Sequence, residues 1–274
     1  MPRTARMSKW RISMARWLLR GAVRLPENGM GGRRPPAASD GHRPRHVAVI
    51  MDGNGRWAAR RGLPRTSGHE AGLRALSSVL DGALEEGIEH LSLFCLSTEN
   101  WNRPRAEIDA LMRLAEDTFD SFGGYAERGV RFRWQGSEAR LPSAVVDALR
   151  EAEERTRRSR AMTVVFCFNH GGRDEIARTA ADLARSAVTG RLDPDAIDES
   201  VFSRHLPLPE LPDIDMLIRT SGEQRISNFM LWRAAYAEFF FVDTLWPDFT
   251  GDHLRDLVAA FALRKRRFGA VTGG

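Results

Sequence analysis

This chain is poor in the residues that staple or metallate a small fold. Its 274 residues hold two cysteines, Cys95 and Cys167, and seven scattered histidines, with no Cys/His spacing suited to zinc. Both cysteines fall inside strand-like apolar runs, where they read as small buried hydrophobes in a reducing compartment. A disulfide between them would require those strands to be neighbours with suitable geometry. No stretch approaches the roughly 18 uninterrupted apolar residues that cross a bilayer. A disulfide-framed secreted module, a zinc module and a membrane-spanning segment are thereby disfavoured. No internal repeat occurs, and the length with 42% hydrophobic content suits one large domain.

Negative charge is scarce at one end only. Residues 1–45 carry eleven Lys or Arg against Glu27 and Asp40, a net +9, whereas the rest carries 30 basic against 34 acidic side chains, a net −4. The chain thus divides into a basic N-terminal extension, 1–45, and a body, 46–274. An acidic body disfavours nucleic acid, whose binders are usually basic. As a helix, the extension would set Arg16, Arg20 and Arg24 four apart beside Trp10, Met14, Trp17 and Leu18, which suits an anionic membrane surface. The Gly/Pro-rich segment 28–44 equally suits a disordered tail. Arg16 and Arg20 interrupt any apolar core of a secretory signal, so the expected location is cytoplasmic, with peripheral contact at the inner membrane face if the helix forms.

What the body does contain is three polar clusters, each behind an apolar run. In HVAVIMDGNGRWAARRGLPRTSGHEAG, residues 46–72, the continuous run Val47 to Met51 fits a parallel strand covered on both faces. It delivers Asp52 into a turn holding Gly53, Asn54, Gly55 and Arg56. A carboxylate, glycines that let N–H groups come close, and arginines equip a loop to hold a metal and a polyanion together. Asp-Gly and Asn-Gly are also ordinary turn formers, and this segment alone does not separate the two readings. In EHLSLFCLSTENWNRPRAEI, residues 89–108, the turn holds Ser97, Thr98, Glu99, Asn100, Trp101 and Arg103. In DIDMLIRTSGEQRISNFMLWRAAYAEFFFVDTLWPDF, residues 213–249, Arg219 ends a strand and Arg225, Ile226 and Ser227 lie in the next loop.

Candidate strands at 46–51, 89–96, 130–135, 162–168, 214–219 and 239–243 alternate with helix-length segments. That pattern predicts an α/β fold with a mainly parallel central sheet and flanking helices. Ser67 and Glu70 stand at capping-box spacing before Leu73, Leu76, Leu80, Ala83 and Leu84. This start would put His69 in the first helical turn, where the dipole favours an anion. Ile108, Leu111, Met112, Ala115, Phe119 and Phe122 recur at helical spacing, a stripe that is ordinarily core. Asp52, Ser97, Asn169 and Arg219 each follow the carboxyl end of a different strand, where parallel sheets bind ligands, so one shared site is expected.

The three motifs, long and in this order, resemble those of the cis-prenyltransferases, and the resemblance runs from about His46 to Gly269. It implies condensation of isopentenyl diphosphate with an allylic diphosphate, geranyl or farnesyl, to a Z-polyprenyl diphosphate of long or medium length, precursor of a cell-envelope lipid carrier. A short-chain Z-prenyl diphosphate synthase is the alternative. A non-catalytic partner subunit of the same fold is disfavoured, because such subunits typically lose residues matching Asp52, Asn100, Arg219 and Arg225. A phosphohydrolase using Asp52 as nucleophile would explain neither STENW nor the paired arginines. The resemblance further implies a hydrophobic tunnel between helices and sheet, Mg²⁺ as cofactor and a homodimer.

Residue by residue, the resemblance implies that Asp52 holds Mg²⁺, while Gly53, Asn54, Gly55, Arg56, Arg65 and His69 cradle the allylic diphosphate. Arg219, Arg225, Ile226 and Ser227 match the isopentenyl diphosphate site. Asn100 matches the residue associated with proton removal, with Ser97, Thr98 and Glu99 beside it. Asn is a poor base, so an orienting role is expected, with Asp52 or released pyrophosphate taking the proton. Trp57, Trp101 and Arg103 match substrate-contacting or loop-ordering positions, Glu238 a second metal-linked carboxylate, and Cys95 and Phe168 the tunnel wall. Gln224 departs from the family's histidine in GEHRIS, and His170 stands where tyrosine is usual. Arg267 to Gly269 resemble the R-x-G signature that reaches the partner subunit's active site.

Overall fold

The computed structural model describes residues 43–264, apart from the side chains of residues 120–123. The expectations for the extension before residue 43, for the Phe122 side chain and for Arg267 to Gly269 lie outside the described residues. All six expected strands form within two residues of their expected ends. They are β1 (His46–Ile50), β2 (His90–Ser97), β3 (Val130–Gln135), β4 (Met162–His170), β5 (Met216–Arg219) and β6 (Glu238–Phe241). Every pairing is parallel, and the strand order is β3-β4-β2-β1-β5-β6. The chain leaves β1 toward β2 on one side and later returns to β5 on the other. The carboxyl end of β1 is therefore a switch point, where the diverging connections leave a crevice.

Continuous apolar strands follow from burial on both faces. Val47 and Val49 join one core with α2 (Arg65–Glu85), α3 (Arg105–Ser121), α4 (Ser143–Thr156) and α7 (Gly251–Ala262), which pack over that face. Ala48 and Ile50 join the opposite core with Leu217, Phe229 and Met230. The remaining helices are α1 (Asn54–Ala59), α5 (Gly172–Val188) and α6 (Glu199–His205). Among the described residues no helix is long and apolar enough to cross a membrane.

Two local expectations are corrected. Helix α2 starts at Arg65 behind Pro64, without a side-chain cap, so the Ser67/Glu70 capping box does not form. Pro64 holds the φ that starts a helix, and the Ser67 amide is already donated to the Pro64 carbonyl at 3.0 Å. His69 consequently lies past the first turn. Strand β4 also runs on to His170, so Asn169 is a strand residue rather than the start of a loop. Its backbone has φ 55°, and its side-chain amide donates to the Ser137 and Ala139 carbonyls at 2.7 and 2.8 Å, away from the shared site.

Candidate active site

Asp52 and Arg219 meet because β1 and β5 are neighbours in register, with Ile50 opposite Arg219. The Arg219 Nη2 donates to Asp52 Oδ2 at 2.8 Å, and its Nη1 donates to Ser227 Oγ at 2.7 Å and to the Arg225 carbonyl at 2.6 Å. Thr220 adds a hydrogen bond to the Asp52 carbonyl at 2.6 Å. Burial alone would raise the Asp52 pKa, but the hydrogen bond and charge of Arg219, with the charge of Arg56, hold it below the usual carboxylate value. Asp52 is thus fixed as an anion at the mouth of a crevice.

The turn after Asp52 requires glycine at one point. Gly53 has φ 112°, a left-handed conformation that side chains resist, and it turns the chain into α1. Arg56, one helical turn after Asp52, sits 3.4 Å from Asp52 Oδ1 and 3.1 Å from Glu223, and it donates to the Ser221 carbonyl at 3.0 Å. Glu223 also pairs with Arg225. One carboxylate therefore draws together an arginine from each proposed diphosphate cradle. Sequence reasoning did not single out Glu223 or Ser221, although both lie inside the quoted SGEQR stretch.

Ser97 and Asn100 cap the 3-10 turn Thr98–Asn102 reciprocally. The Ser97 amide donates to Asn100 Oδ1 at 3.1 Å, which commits the Asn100 carbonyl oxygen and leaves its amide hydrogens as donors. Arg103 then donates to Glu107 at 3.1 Å, and Arg65 reaches the same carboxylate at 3.4 Å. His69 lies 3.9 Å from it, beyond hydrogen-bonding distance. Burial, aided by the Arg103 charge, pushes the His69 pKa down to about 4, so its imidazole is neutral near neutral pH. Glu107 was missed because a glutamate four residues after an arginine reads as an ordinary surface helix pair.

These groups ring the polar mouth of a cavity of about 380 Å³. Asp52, Asn54, His69, Ser97 and Asn100 line it from one side, and Arg103, Arg219, Arg225 and Ser227 complete the polar wall. The Asn54 Oδ1 is buried there without a hydrogen-bond partner. The rest of the wall is apolar, with Leu73, Leu76, Cys95, Leu111, Phe119 and Phe168. The helix stripe of α3 is therefore shared: Leu111, Ala115 and Phe119 face the cavity, whereas Ile108 and Met112 do not.

Several expected residues stand outside the cavity wall. Gly53 and Gly55 belong to the turn and to helix α1 behind Asp52, and Arg56 and Arg65 are held by the ion pairs described above. Trp57 donates to Asp248 at 2.7 Å and is covered by Arg61, while Ile226 packs into the core on the second face. Trp101 donates to Asn169 at 2.7 Å. Thr98 lies 3.3 Å from Glu99, which accepts from Asn228 at 2.8 Å. These residues order loops rather than line the cavity. Glu238 is not brought to Asp52. It opens β6 opposite Met216, three positions before the Phe241 that pairs with Arg219, and its carboxylate accepts from Arg264 at 2.5 Å. Gln224 is exposed, and among the described residues no group of three His, Cys, Asp or Glu is placed to hold a metal.

A parallel α/β sheet whose strand ends gather Asp52 and several arginines on the wall of a partly apolar cavity suits amphiphiles with anionic heads. Comparisons with known proteins narrow that class. The family described as "Putative undecaprenyl diphosphate synthase" matches residues 50–269. The trans,polycis-polyprenyl diphosphate synthase ((2Z,6E)-farnesyl diphosphate specific) of Thermobifida fusca is 49% identical over 90% of this chain and 88% of its own. The decaprenyl diphosphate synthase of Mycobacterium tuberculosis is 48% identical over 83% of this chain and 77% of its own. The crystal structure of lavandulyl diphosphate synthase from Lavandula x intermedia, in complex with dimethylallyl diphosphate, superposes with a TM-score of 0.79 at 36% identity, covering 82% of this chain and 98% of that one. The chain belongs to the cis-prenyltransferase family and is a prenyltransferase.

Proposed function

We propose that this chain condenses isopentenyl diphosphate with geranyl or farnesyl diphosphate to build a Z-polyprenyl diphosphate, with Mg²⁺ as cofactor. The observation that carries the reading is that one cavity wall joins Asp52, Arg219 and Arg225 with Leu111, Phe119 and Phe168. It suits a diphosphate head with a growing apolar tail. The identities of 49% and 48% to polyprenyl and decaprenyl synthases favour a polyprenyl product over the short-chain alternative.

Mg²⁺ fits the donor set, because it takes one or two carboxylates together with substrate phosphate oxygens rather than a full protein cage. Asp52 is the carboxylate that would hold it. When bound, it supplies neutralisation of the leaving diphosphate. Arg56 and Arg65 bind the allylic diphosphate, and Arg219, Arg225 and Ser227 bind the second diphosphate so that the isopentenyl double bond faces the allylic carbon. The allylic C–O bond breaks, a C–C bond forms, and a proton leaves the isopentenyl unit. Asn100 orients that unit through its amide hydrogens, since its oxygen is committed to Ser97. The depressed pKa of Asp52 makes it a poor proton acceptor, so an oxygen of the released pyrophosphate takes the proton.

A homodimer through the β6 edge is supported by exposed Tyr236, Phe239 and Phe241 on and just before the sheet's outermost strand. Incubating the full chain with Mg²⁺, labelled isopentenyl diphosphate and each primer, then sizing the dephosphorylated products, tests the function. A ladder ending at one length supports it. No incorporation by folded protein with either primer overturns it in favour of a non-catalytic subunit.

A further inference from the structure

A second cavity, of about 340 Å³, shares Arg103 with the first. Its charged wall is Arg103, Arg105 and Arg140 against the single carboxylate of Asp109, and exposed Pro142 adds apolar surface over the buried Ile108 and Met112. Trp101 also lines it, and the Arg140 guanidinium lies over the indole at 4.5 Å. A guanidinium stacked in this way keeps its N–H edge available for a ligand. Arg105 is engaged by Asp109 at 2.9 Å and Arg103 by Glu107 at 3.1 Å. Arg140 has no acidic partner among the described residues.

The wall is also held in place. Asn169, 3% exposed, accepts from Trp101 Nε1 at 2.7 Å and donates to the carbonyls of Ser137 and Ala139. One buried amide thus clamps the indole to the loop that carries Arg140. Arg140 itself has φ 69°, a left-handed backbone that a non-glycine residue adopts at a cost and that recurs at functional sites. Arg103 lines both cavities, so an anion drawing on it here competes with the Glu107 contact that fixes it beside the first.

From this geometry we infer that the Trp101/Arg140 cavity is a second, regulatory site that binds a phosphate monoester bearing a short apolar chain. Occupancy weakens allylic diphosphate binding by drawing Arg103 away from Glu107. The basic wall selects the phosphate, and exposed Pro142 with the half-buried Trp101 indole offers the chain its apolar contact. By thermodynamic reciprocity, the allylic substrate weakens the second ligand by the same factor.

Calorimetric titration of the full chain with n-octyl phosphate tests the site directly, and prefilling the first cavity with the unreactive farnesyl thiodiphosphate should weaken that binding. Arg140→Gly removes the charge and tolerates the left-handed backbone, so misfolding is not a competing explanation. It should weaken binding about tenfold, the loss of one charge-assisted contact. Asp109→Asn frees Arg105 and should tighten binding. Equal affinity in all three proteins, or no binding to the wild type, overturns the proposal. Arg140-dependent binding of phosphatidylglycerol vesicles would identify a lipid headgroup as the source of the phosphate, and its absence beside octyl phosphate binding a soluble ester. Octyl phosphate should raise KM for the allylic diphosphate in the wild type and not in Arg140→Gly. An unmoved KM overturns the regulatory coupling.

Discussion

Arg219 is the buried half of an ion pair whose other half, Asp52, faces the cavity: the side chains are 4% and 29% exposed and their closest atoms lie 2.8 Å apart. The asymmetry follows from position, since Arg219 ends a buried strand and Asp52 lies one residue beyond Met51 in the crevice. Arg219 holds Asp52 ionised from below and leaves its upper side open to ligands.

Asp52→Asn keeps the shape and removes the charge. Turnover should fall by at least about 10²-fold, the scale of losing one preorganised charged group. The Arg219 guanidinium then lacks its counter-charge, which should cost about 2 kcal/mol, below the value for a fully buried pair because Asp52 is partly exposed. Steady-state kinetics and urea unfolding check the two effects, and an unchanged urea midpoint would remove the pair from the stability of the fold.

Gly55→Ala separates folding from binding. A Cβ at Gly55 would meet the Arg65 guanidinium at 2.6 Å, the far end of a flexible side chain that can swing away. Alanine is the better helix former by about 1 kcal/mol, so stability should hold or rise. Displacing Arg65 should raise KM for the allylic diphosphate about tenfold with little change in kcat. An unchanged KM would exclude Arg65 from the cradle.

Cys95→Phe probes product length. Cys95 stands on β2 in the apolar wall of the cavity with Phe119, Phe166 and Phe168. A further ring there should shift the product ladder toward shorter chains. An unchanged distribution in folded protein would remove Cys95 from the path of the growing chain.

The strands and their carboxyl ends were legible because β-branched and apolar runs stop abruptly at polar turns. Asp52, Ser97 and Arg219 therefore landed where the motifs implied. What the sequence concealed depends on contacts between distant segments. Pro64 overrode the Ser67/Glu70 pattern because a preset φ starts the helix earlier. Asn169 looked like a loop residue at the site, yet three polar partners hold it against Trp101, Ser137 and Ala139. Glu107 gathers Arg65 and Arg103 from different elements, which no local spacing reveals. Glu238 shares a motif with Arg219 but not an end of the sheet, because parallel pairing sets it beside Met216.

His170, 1% exposed, shows how the departure from tyrosine is accommodated and how acid should unfold the chain. Its Nε2 accepts the Met230 amide at 3.2 Å, and its ring packs edge-on to Phe94 and Phe229. Burial pushes its pKa down to about 4, that of His69 to about 4 and that of His46 to about 3, so all three are neutral when folded and take up protons on unfolding below about pH 6.5. Their stabilising effect is present above that pH and is lost as pH falls toward 4. Glu175, pushed up to about 7 by burial, runs the other way and offsets one of them. These four groups together net about two protons, or on the order of 2.7 kcal/mol of stability lost per pH unit between pH 6 and 5, and the lowered pKa of His90 acts in the same direction. His170→Tyr removes one proton and should lower the slope in urea unfolding by about 1.4 kcal/mol per pH unit. Turnover at pH 7.5 should stay nearly unchanged, since the ring supports the Met230 segment without lining the cavity. A large loss of turnover would place His170 in the reaction, and an undiminished slope would mean that it does not titrate as its burial requires.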